Sequence, residues 1–211
     1  MEINDLVTFW RGQQLNVDGR WAHRLDVDAF AAEPHSFNLD HPVNPYVGDV
    51  LNAPVVILGA NGGYSAELTP TEFPDDDAVR TYLDRVDNPM DADWSFVSQY
   101  YDRTNYGDLV ASGQAVLVNA CAYRSVKITE EPVNRRLIKR LESALFTRRW
   151  LLEAVLPMAA AGERLVVIKR GGQWNLPGDV SLAPGVVRDP APVSPRITGV
   201  PFARMTDFLA S

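Results

Sequence analysis

Three apolar runs stand out along the chain, at residues 54–59, 115–120 and 165–168, and only Asn119 interrupts them. Each is rich in β-branched residues and lacks polar alternation, which is typical of a strand buried on both faces of a parallel sheet. A weaker run at Val186 and Val187 favours a fourth strand. The pattern therefore predicts a central, mainly parallel, four-stranded sheet.

Helical periodicity occupies the intervals between these runs. The apolar spacing predicts short helices at 5–15 and 27–32 and further helices at 77–86, 94–101, 106–112, 135–158 and 202–209. The longest places five large side chains near one face, namely Leu137, Leu141, Leu145, Trp150 and Leu151. Strands alternating with helices predict one three-layer α/β/α domain over residues 1–211, with a helical segment, 1–44, packed against it.

The composition is that of an ordinary globular domain, with 46% hydrophobic and 22% charged residues. Cys121 is the only cysteine, so the chain can form neither an internal disulfide nor a cysteine-ligated iron–sulfur cluster. His35 and His41 lack a third ligand at suitable spacing, so we expect no metal. Gly171-Gly172 lacks the pattern of a dinucleotide-binding or phosphate-binding loop, so we also expect no cofactor. The absence of an 18-residue apolar run and of a signal-peptide pattern predicts a cytoplasmic protein with no membrane partner.

The net charge of −7 argues against broad adhesion to nucleic acid. The charge is uneven, however, because residues 120–170 hold 11 Lys and Arg against 5 Asp and Glu. A basic face could therefore still meet a phosphate backbone. The alternative is that these residues form the solvated side of a helix, as for Arg135, Arg136, Lys139 and Arg140.

Three loops leave predicted strands at their carboxyl ends, at 59–65, 119–125 and 189–194. In open parallel sheets, ligands bind beyond the carboxyl ends of the strands. Taken alone, Asn61 and Asn119 could each be a turn residue that ends a strand, and Asp189 before a proline could be a turn former. Because all three follow strands, the sequence predicts that they share one site.

These loops, in this order, resemble the motifs of the uracil-DNA glycosylase superfamily over residues 45–208. The first active-site motif of the mismatch-specific branch, a strand ending in Gly-x-Asn-Pro-Gly, is similar to Pro54-Val-Val-Ile-Leu-Gly-Ala-Asn-Gly-Gly-Tyr-Ser65. The strand whose terminal asparagine reads the base is similar to Ala115-Val-Leu-Val-Asn-Ala120. The family's His-Pro-Ser-Pro-Leu-Ser falls at Asp189-Pro-Ala-Pro-Val-Ser194.

The resemblance implies an enzyme that cleaves the N-glycosidic bond of a damaged, modified or mismatched base, so nucleic acid or a nucleotide base is the expected partner. Asn61 would orient the attacking water, and Asp189 would stand where the donor to the leaving base belongs. Asn119 would hydrogen-bond the base edge, since an amide offers both a donor and an acceptor. The expected substrate-binding residues are Gly59, Gly63, Tyr64, Asn119, Arg124 and Ser194.

Two departures from the family pattern change the expected chemistry. Gly62 replaces proline and should loosen the first loop. Asp189 replaces histidine, and an ionised carboxylate would repel the departing base; losing such a donor costs about 2.7–4 kcal/mol of transition-state stabilisation. Uracil excision should therefore be weak unless Asp189 is protonated, or Arg124 or Lys127 supplies the donor.

Two other functions remain open at this point. The first is a catalytically silent member of the same fold that binds a nucleotide or nucleic acid in the same cleft, and the replaced histidine favours it. The second is a small-nucleoside hydrolase, which suits the acidic chain. Cys121 is expected to be a buried apolar residue rather than a nucleophile, and Trp174 could either stack on a base or lie in the core.

Overall fold

The computed structural model describes residues 1–95, 98, 103–126, 128, 131–180, 183–191 and 194–211. Its centre is a five-stranded sheet made of β3 (Tyr46–Val47), β4 (Val55–Asn61), β5 (Ala115–Cys121), β6 (Leu165–Ile168) and β7 (Val186–Arg188). The strand order is β3-β5-β4-β6-β7, with β3 antiparallel to β5 and the other neighbours parallel. The predicted α/β class is confirmed, and the sheet has five strands rather than four because the two-residue β3 is too short to leave a periodic signal.

Helices flank this sheet. They are α1 (Asp5–Trp10), α2 (Val27–Ala32), α3 (Thr69–Glu72), α4 (Asp76–Asp87), α5 (Gly107–Ala111), α6 (Pro132–Ile138), α7 (Glu142–Trp150), α8 (Leu156–Ala160) and α9 (Val200–Ala210). Helices α5 and α7 pack against β5, whereas α8 and α9 pack against β6. The helix predicted at 94–101 falls mostly outside the described residues. No helix in the described ranges is both long and apolar enough to cross a membrane.

The N-terminal segment differs from its prediction. The helix expected over 5–15 ends at Trp10, and a hairpin follows, made of β1 (Gln14–Val17) and β2 (Arg20–His23). The backbone φ of +63° at Gly12 stops the helix. Asp18 and Gly19, with φ of +51° and +79°, then form the two-residue turn that antiparallel strands favour. Segment 1–44 is therefore mixed rather than helical.

The long helix predicted over 135–158 is also interrupted. Helix α6 ends at Ile138, α7 begins at Glu142, and a π-helical turn over Leu151–Val155 precedes α8. Pro157 explains the wide turn, since it has no N–H to donate to the carbonyl four residues earlier. The break after α6 also shifts the phase of the helix, and Leu145 is consequently 42% exposed rather than buried with its predicted partners.

The sheet supplies the centre of the core. Every residue of β5 and β6 is buried, and β4 is buried except at Asn61. This burial accounts for the apolar runs, because a strand covered on both faces has no polar side. The only polar side chain inside β5 is Asn119, which is 3% exposed. A buried side-chain amide in such a strand must be hydrogen-bonded, so the partners of Asn119 indicate its role in the structure.

Candidate functional site

A cavity of about 410 Å³ opens at the carboxyl edge of the sheet. Its volume lies within the range of small-molecule sites, roughly 300–1,000 Å³. Every predicted site residue except Asp189 lines it, namely Gly59, Asn61, Gly63, Tyr64, Asn119, Arg124 and Ser194. The lining residues that the sequence did not single out as site residues include Asn44, Glu72, Tyr82, Lys169 and Arg170.

Strand register brings the first two loops together. Gly59 pairs with Asn119 and Asn61 with Cys121, so β4 and β5 end side by side. Strand β6 runs parallel to β4 on its other side, with Leu58 opposite Ile168. Parallel neighbours in register necessarily deliver their following loops to one edge of the sheet.

Gly59 allows the Asn119 side chain to lie across β4. A Cβ atom at Gly59 would stand 2.5 Å from Asn119 Oδ1, too close for any larger residue to be accommodated unmoved. Asn119 Nδ2 donates to the backbone oxygen of Asn44 at 2.9 Å, which fixes the orientation of the amide. Behind this pair, Trp174 Nε1 donates to the backbone oxygen of Gly59 at 2.7 Å. Trp174 is 1% exposed, so it belongs to the core and does not stack in the cavity.

The Asn61 amide is fixed by three acceptors on one loop. Its Nδ2 donates to Ser125 Oγ at 3.0 Å and lies 3.3 and 3.4 Å from the backbone oxygens of Ser125 and Tyr123. Backbone oxygens accept hydrogen bonds only, so the amide nitrogen must face them. No described residue donates to Asn61 Oδ1. Asn61 is half-buried in the cavity wall, and its Oδ1 is therefore free to accept a hydrogen bond from a ligand.

The two glycines after Asn61 permit a close approach of the backbone. A Cβ atom at Gly62 would lie 2.7 Å from the backbone oxygen of Ala122, and Gly63 has a φ of +62°. Gly62 thus packs closely against the second loop, rather than only loosening the first. Gly63 has the left-handed conformation that glycine adopts without steric cost.

Asp189 does not line the cavity. Its side chain is buried, accepts from Ala191 N at 2.9 Å and pairs with Lys169 Nζ. Lys169 Nζ also donates to the backbone oxygens of Ala191 and Arg196, at 2.8 and 2.7 Å. Asp189, at the position predicted for a donor to the leaving base, is therefore a carboxylate that faces the third loop. Lys169 lies between Asp189 and the cavity. Pro192 and Val193 of the same motif, like Lys127 near the second loop, lie outside the described residues.

The sequence contained a signal for Lys169, which directly follows β6. Ligands bind beyond the carboxyl ends of parallel strands, and the position directly after β6 meets this condition as well as the other loops do. Glu72 had no comparable signal, because it lies in the four-residue α3, far along the chain from its partner Arg124. Arg124 Nη1 lies 3.3 Å from Glu72 Oε2, and both side chains are largely buried. Glu72 also accepts from Ser98 Oγ at 2.6 Å.

Arg124 is held on several sides. Its Nε donates to the backbone oxygen of Pro42 at 3.0 Å, and its guanidinium lies 5.2 Å from the centre of the Phe73 ring. These contacts, together with Glu72, neutralise its charge and fix its position. Arg124 is therefore part of a rigid cavity wall.

The N-terminal segment supports the second loop. Asn38 N donates to the backbone oxygen of Arg124 and Asn44 N to that of Ala122, each at 2.8 Å. Deeper in the core, the Tyr123 hydroxyl donates to Asp26 Oδ2 at 2.7 Å. The N-terminal segment therefore contributes Asn44 to the cavity lining. It also supplies the hydrogen bonds that position the second loop, whose oxygens bind the Asn61 amide.

Burial shifts the ionisation of several nearby groups. Burial raises the pKa of the Tyr82 hydroxyl, which donates to the backbone oxygen of Val43 at 3.0 Å. Burial likewise raises the pKa of the Cys121 thiol, so it stays protonated and is a poor nucleophile. Burial lowers the pKa of His41, and the charge of Arg124 lowers it further. Within the part of the chain that is described, no three His, Cys, Asp or Glu side chains form a metal-binding group.

Comparisons of the chain with protein-family models, with curated proteins and with solved structures each found no match. The site consists of a cavity of about 410 Å³, two asparagines whose amide nitrogens are bound to the protein, and two buried ion pairs in or behind the wall.

Proposed function

We propose that this chain is an N-glycosidase that binds a damaged, modified or mismatched base of DNA in the cavity. The observation that carries the proposal is the presence of Asn61 and Asn119 in one cavity of about 410 Å³. A flipped base is read by groups that hydrogen-bond its edge, and amide side chains are suited to this. The resemblance of the three loops to the uracil-DNA glycosylase superfamily supports the same function.

In this proposal Asn61 positions the attacking water. Its Oδ1 accepts a hydrogen bond from the water, whose lone pair is then directed at the sugar carbon. Asn61 cannot remove the proton, so the bond to the base must be largely broken before water attacks the sugar carbon, and the proton that the water loses passes to the departed base anion. Asn119 holds the base edge and Tyr64 walls the cavity beside it. The expected acceleration is modest, because a strong general base is absent from these roles.

Cations near the cavity support an approach by DNA. Arg170, half-buried, lines the cavity, while two exposed arginines flank the third loop: Arg188 ends β7, and Arg196 comes after the loop. Their side chains could meet phosphates on either side of an extruded nucleotide, although the chain as a whole is acidic. Contacts of this kind weaken steeply with salt, whereas binding of a free nucleoside does not.

The test is a cleavage assay on duplex and single-stranded oligonucleotides that contain uracil, hypoxanthine or a mismatch, run beside free nucleosides. We expect excision of at least one base, loss of excision in Asn61→Ala, and a decline in DNA affinity as salt rises. Asn52→Ala, at an exposed amide that binds Asp49 away from the cavity, is the control and should leave the rate unchanged. Failure to cut any of these substrates would exclude the N-glycosidase.

A second candidate function is binding without hydrolysis. The Lys169–Asp189 ion pair favours it, because Lys169 contacts the third loop and its Nζ already serves three protein oxygens. A departing base would then receive little stabilisation from this side of the cavity. Saturable binding of a free base or of abasic DNA without turnover would support this function instead.

A further inference from the structure

The outer face of helix α6 carries cations in a chain that is acidic overall. Arg135, Arg136, Lys139 and Arg140 are all exposed, because the other face of the helix packs into the core. Of these four, Arg140 alone has an ion-pair partner among the described residues, the carboxylate of Glu33. Residues 131–150 hold 6 Lys and Arg against 2 Asp and Glu, although the net charge of the whole chain is −7. The other three cations form what we name the α6 basic face.

Like charges lie close together on the α6 basic face. Lys139 follows Arg135 by four residues and Arg136 by three, the spacings at which side chains are neighbours on a helix. Like charges at these spacings destabilise a helix. Dissolved salt screens this repulsion only in part, whereas a polyanion lying along the face would relieve it and release counterions. The charge pattern therefore favours an anionic polymer as the partner of this face.

Two connections attach α6 to the wall of the cavity. Ile128 lines the cavity, and α6 begins only four residues later. Asn134, on α6, accepts from the backbone N–H of Ser36 at 3.1 Å and donates to Ser36 Oγ at 2.9 Å. Two residues farther along that segment, Asn38 N donates to the backbone oxygen of Arg124 in the cavity wall at 2.8 Å. Helix α6 is therefore joined to the β5 side of the cavity.

The exposed arginines beside the third loop belong to the other side of the cavity. The strand order β3-β5-β4-β6-β7 puts the loops that follow β5 and β7 on opposite sides of β4. Arg188 ends β7, and Arg196 comes after the third loop. Strands are about 4.8 Å apart, so β5 and β7 are separated by roughly 14 Å. With α6 and the chain leading to it, the cations span on the order of 30 Å, close to one turn of B-DNA.

We propose that the α6 basic face binds the phosphate backbone of DNA on the β5 side of the cavity, while Arg188 and Arg196 meet the backbone on the β7 side. This inference rests on the proposed base-binding function, and it specifies the substrate as a duplex of about one helical turn rather than a free nucleoside. A base extruded into the cavity is then held by backbone contacts on both flanks. Phosphate contacts carry no sequence information, so the face contributes affinity and register without selecting the base.

The test compares two probes of different length. One is a duplex of about 20 base pairs with a single central uracil–guanine mismatch, which is long enough to reach α6, and the other is a trinucleotide with uracil at its centre, which is not. Dissociation constants are measured by fluorescence anisotropy at several salt concentrations, on the full chain and on Arg135→Gln/Arg136→Gln. Each phosphate contact contributes about −0.9 to the slope of log K against log salt, so the duplex slope should become shallower by about one to two. The affinity for the trinucleotide should not change.

Arg80→Gln/Arg149→Gln is the matched control, because it removes two exposed arginines from other helices, α4 and α7. It should keep the slope of the unmodified chain. Both variants alter exposed side chains only, so thermal unfolding should show that the fold is retained. An unchanged slope in Arg135→Gln/Arg136→Gln, or an equal change in the control, would overturn the role of α6 and leave base binding intact.

Two further outcomes separate this inference from its alternatives. If polyglutamate displaced the labelled duplex as effectively as unlabelled duplex does, the α6 basic face would belong to an acidic polypeptide rather than to DNA. If the unmodified chain bound neither the duplex nor the trinucleotide at low salt, the proposed base-binding function and the role of α6 would both fail.

Discussion

Asn61 and Ser125 are joined by a hydrogen bond of 3.0 Å in which the asparagine amide is the donor and the serine hydroxyl the acceptor. This direction matters, because two backbone oxygens lie beside the hydroxyl and also face the amide nitrogen. Position 61 therefore selects an amide over a carboxylate. The structure explains why asparagine suits this loop without reference to any other protein.

The first prediction concerns Asn61→Asp. A carboxylate would set an oxygen against three acceptors, so its pKa should rise above the ordinary value of about 3.9. A raised pKa in the folded state means that the variant matches the original chain best at low pH and loses stability as pH rises through that pKa. We expect a loss of about 1–3 kcal/mol at pH 8 relative to the unmodified chain, and less at pH 4.

Urea unfolding at several pH values measures this difference. Asn61→Ala is the control, since it removes the same hydrogen bonds without adding a charge, and its cost should not depend on pH. If the loss of stability in Asn61→Asp did not change with pH, the aspartate side chain would have to turn away from the second loop.

The second prediction concerns the contact between β4 and β5. Gly59→Ala would push a methyl group onto Asn119 Oδ1, 2.5 Å away, and overpacking of this kind typically costs about 1–3 kcal/mol. Binding in the cavity should weaken as well, because Asn119 must move. Gly172→Ala is the matched control, since no atom lies within 4 Å of the added methyl and its backbone is not left-handed. Thermal unfolding and base titration compare the two, and equal stability would show that the strands adjust freely.

The third prediction concerns the buried pair Lys169–Asp189. Asp189→Asn leaves a buried ammonium without its counter-charge, and breaking a buried pair in this way typically costs about 3–5 kcal/mol. The exposed pair Arg80–Asp77 is the control, where Asp77→Asn should cost less than about 1 kcal/mol. Chemical denaturation of both variants gives the comparison. If Asp189→Asn lost as little stability as Asp77→Asn, Lys169 would have to find other partners in the variant.

The fourth prediction concerns pH and His23. Burial lowers the pKa of this histidine from the ordinary 6.5, and the neutral ring is held by two contacts: Nε2 donates to the backbone oxygen of Phe9 at 3.1 Å, while Nδ1 accepts from Leu25 N at 3.2 Å. Because the folded-state pKa is lowered, the unfolded chain takes up the proton first. The free energy of unfolding should therefore fall as pH drops below 6.5.

His23→Gln cannot titrate in this range and should flatten part of that pH dependence, as measured by denaturation between pH 7.5 and 5. The remaining slope should include His35 and His41, whose pKa values burial also lowers. An unchanged slope in His23→Gln would mean that His23 is protonated equally in the folded and unfolded chain.

Local pattern was sufficient for the parallel strands of the central sheet and for the edge at which the cavity lies, but not for the β1–β2 hairpin or for β3. The runs at 54–59, 115–120 and 165–168 became β4, β5 and β6, since a strand buried on both faces is apolar at nearly every position. Parallel strands then place their following loops at one edge, which is how Asn61 and Asn119 could be expected in one site. Neither step required knowledge of a distant contact.

Long-range partners were decided only by the folded chain. Nothing near Asp189 indicates that its carboxylate faces Lys169, and nothing near Asn119 indicates that Asn44 accepts its amide hydrogen. The direction of an amide, and whether a charge lies in the cavity or behind its wall, depends on atoms tens of residues away. The sequence by itself determined the α/β class and the loops at the carboxyl edge, because burial and chain direction are written in local periodicity. Which donors and acceptors remain for a ligand was decided by tertiary structure, because each such group must first find or lack a partner from elsewhere in the chain.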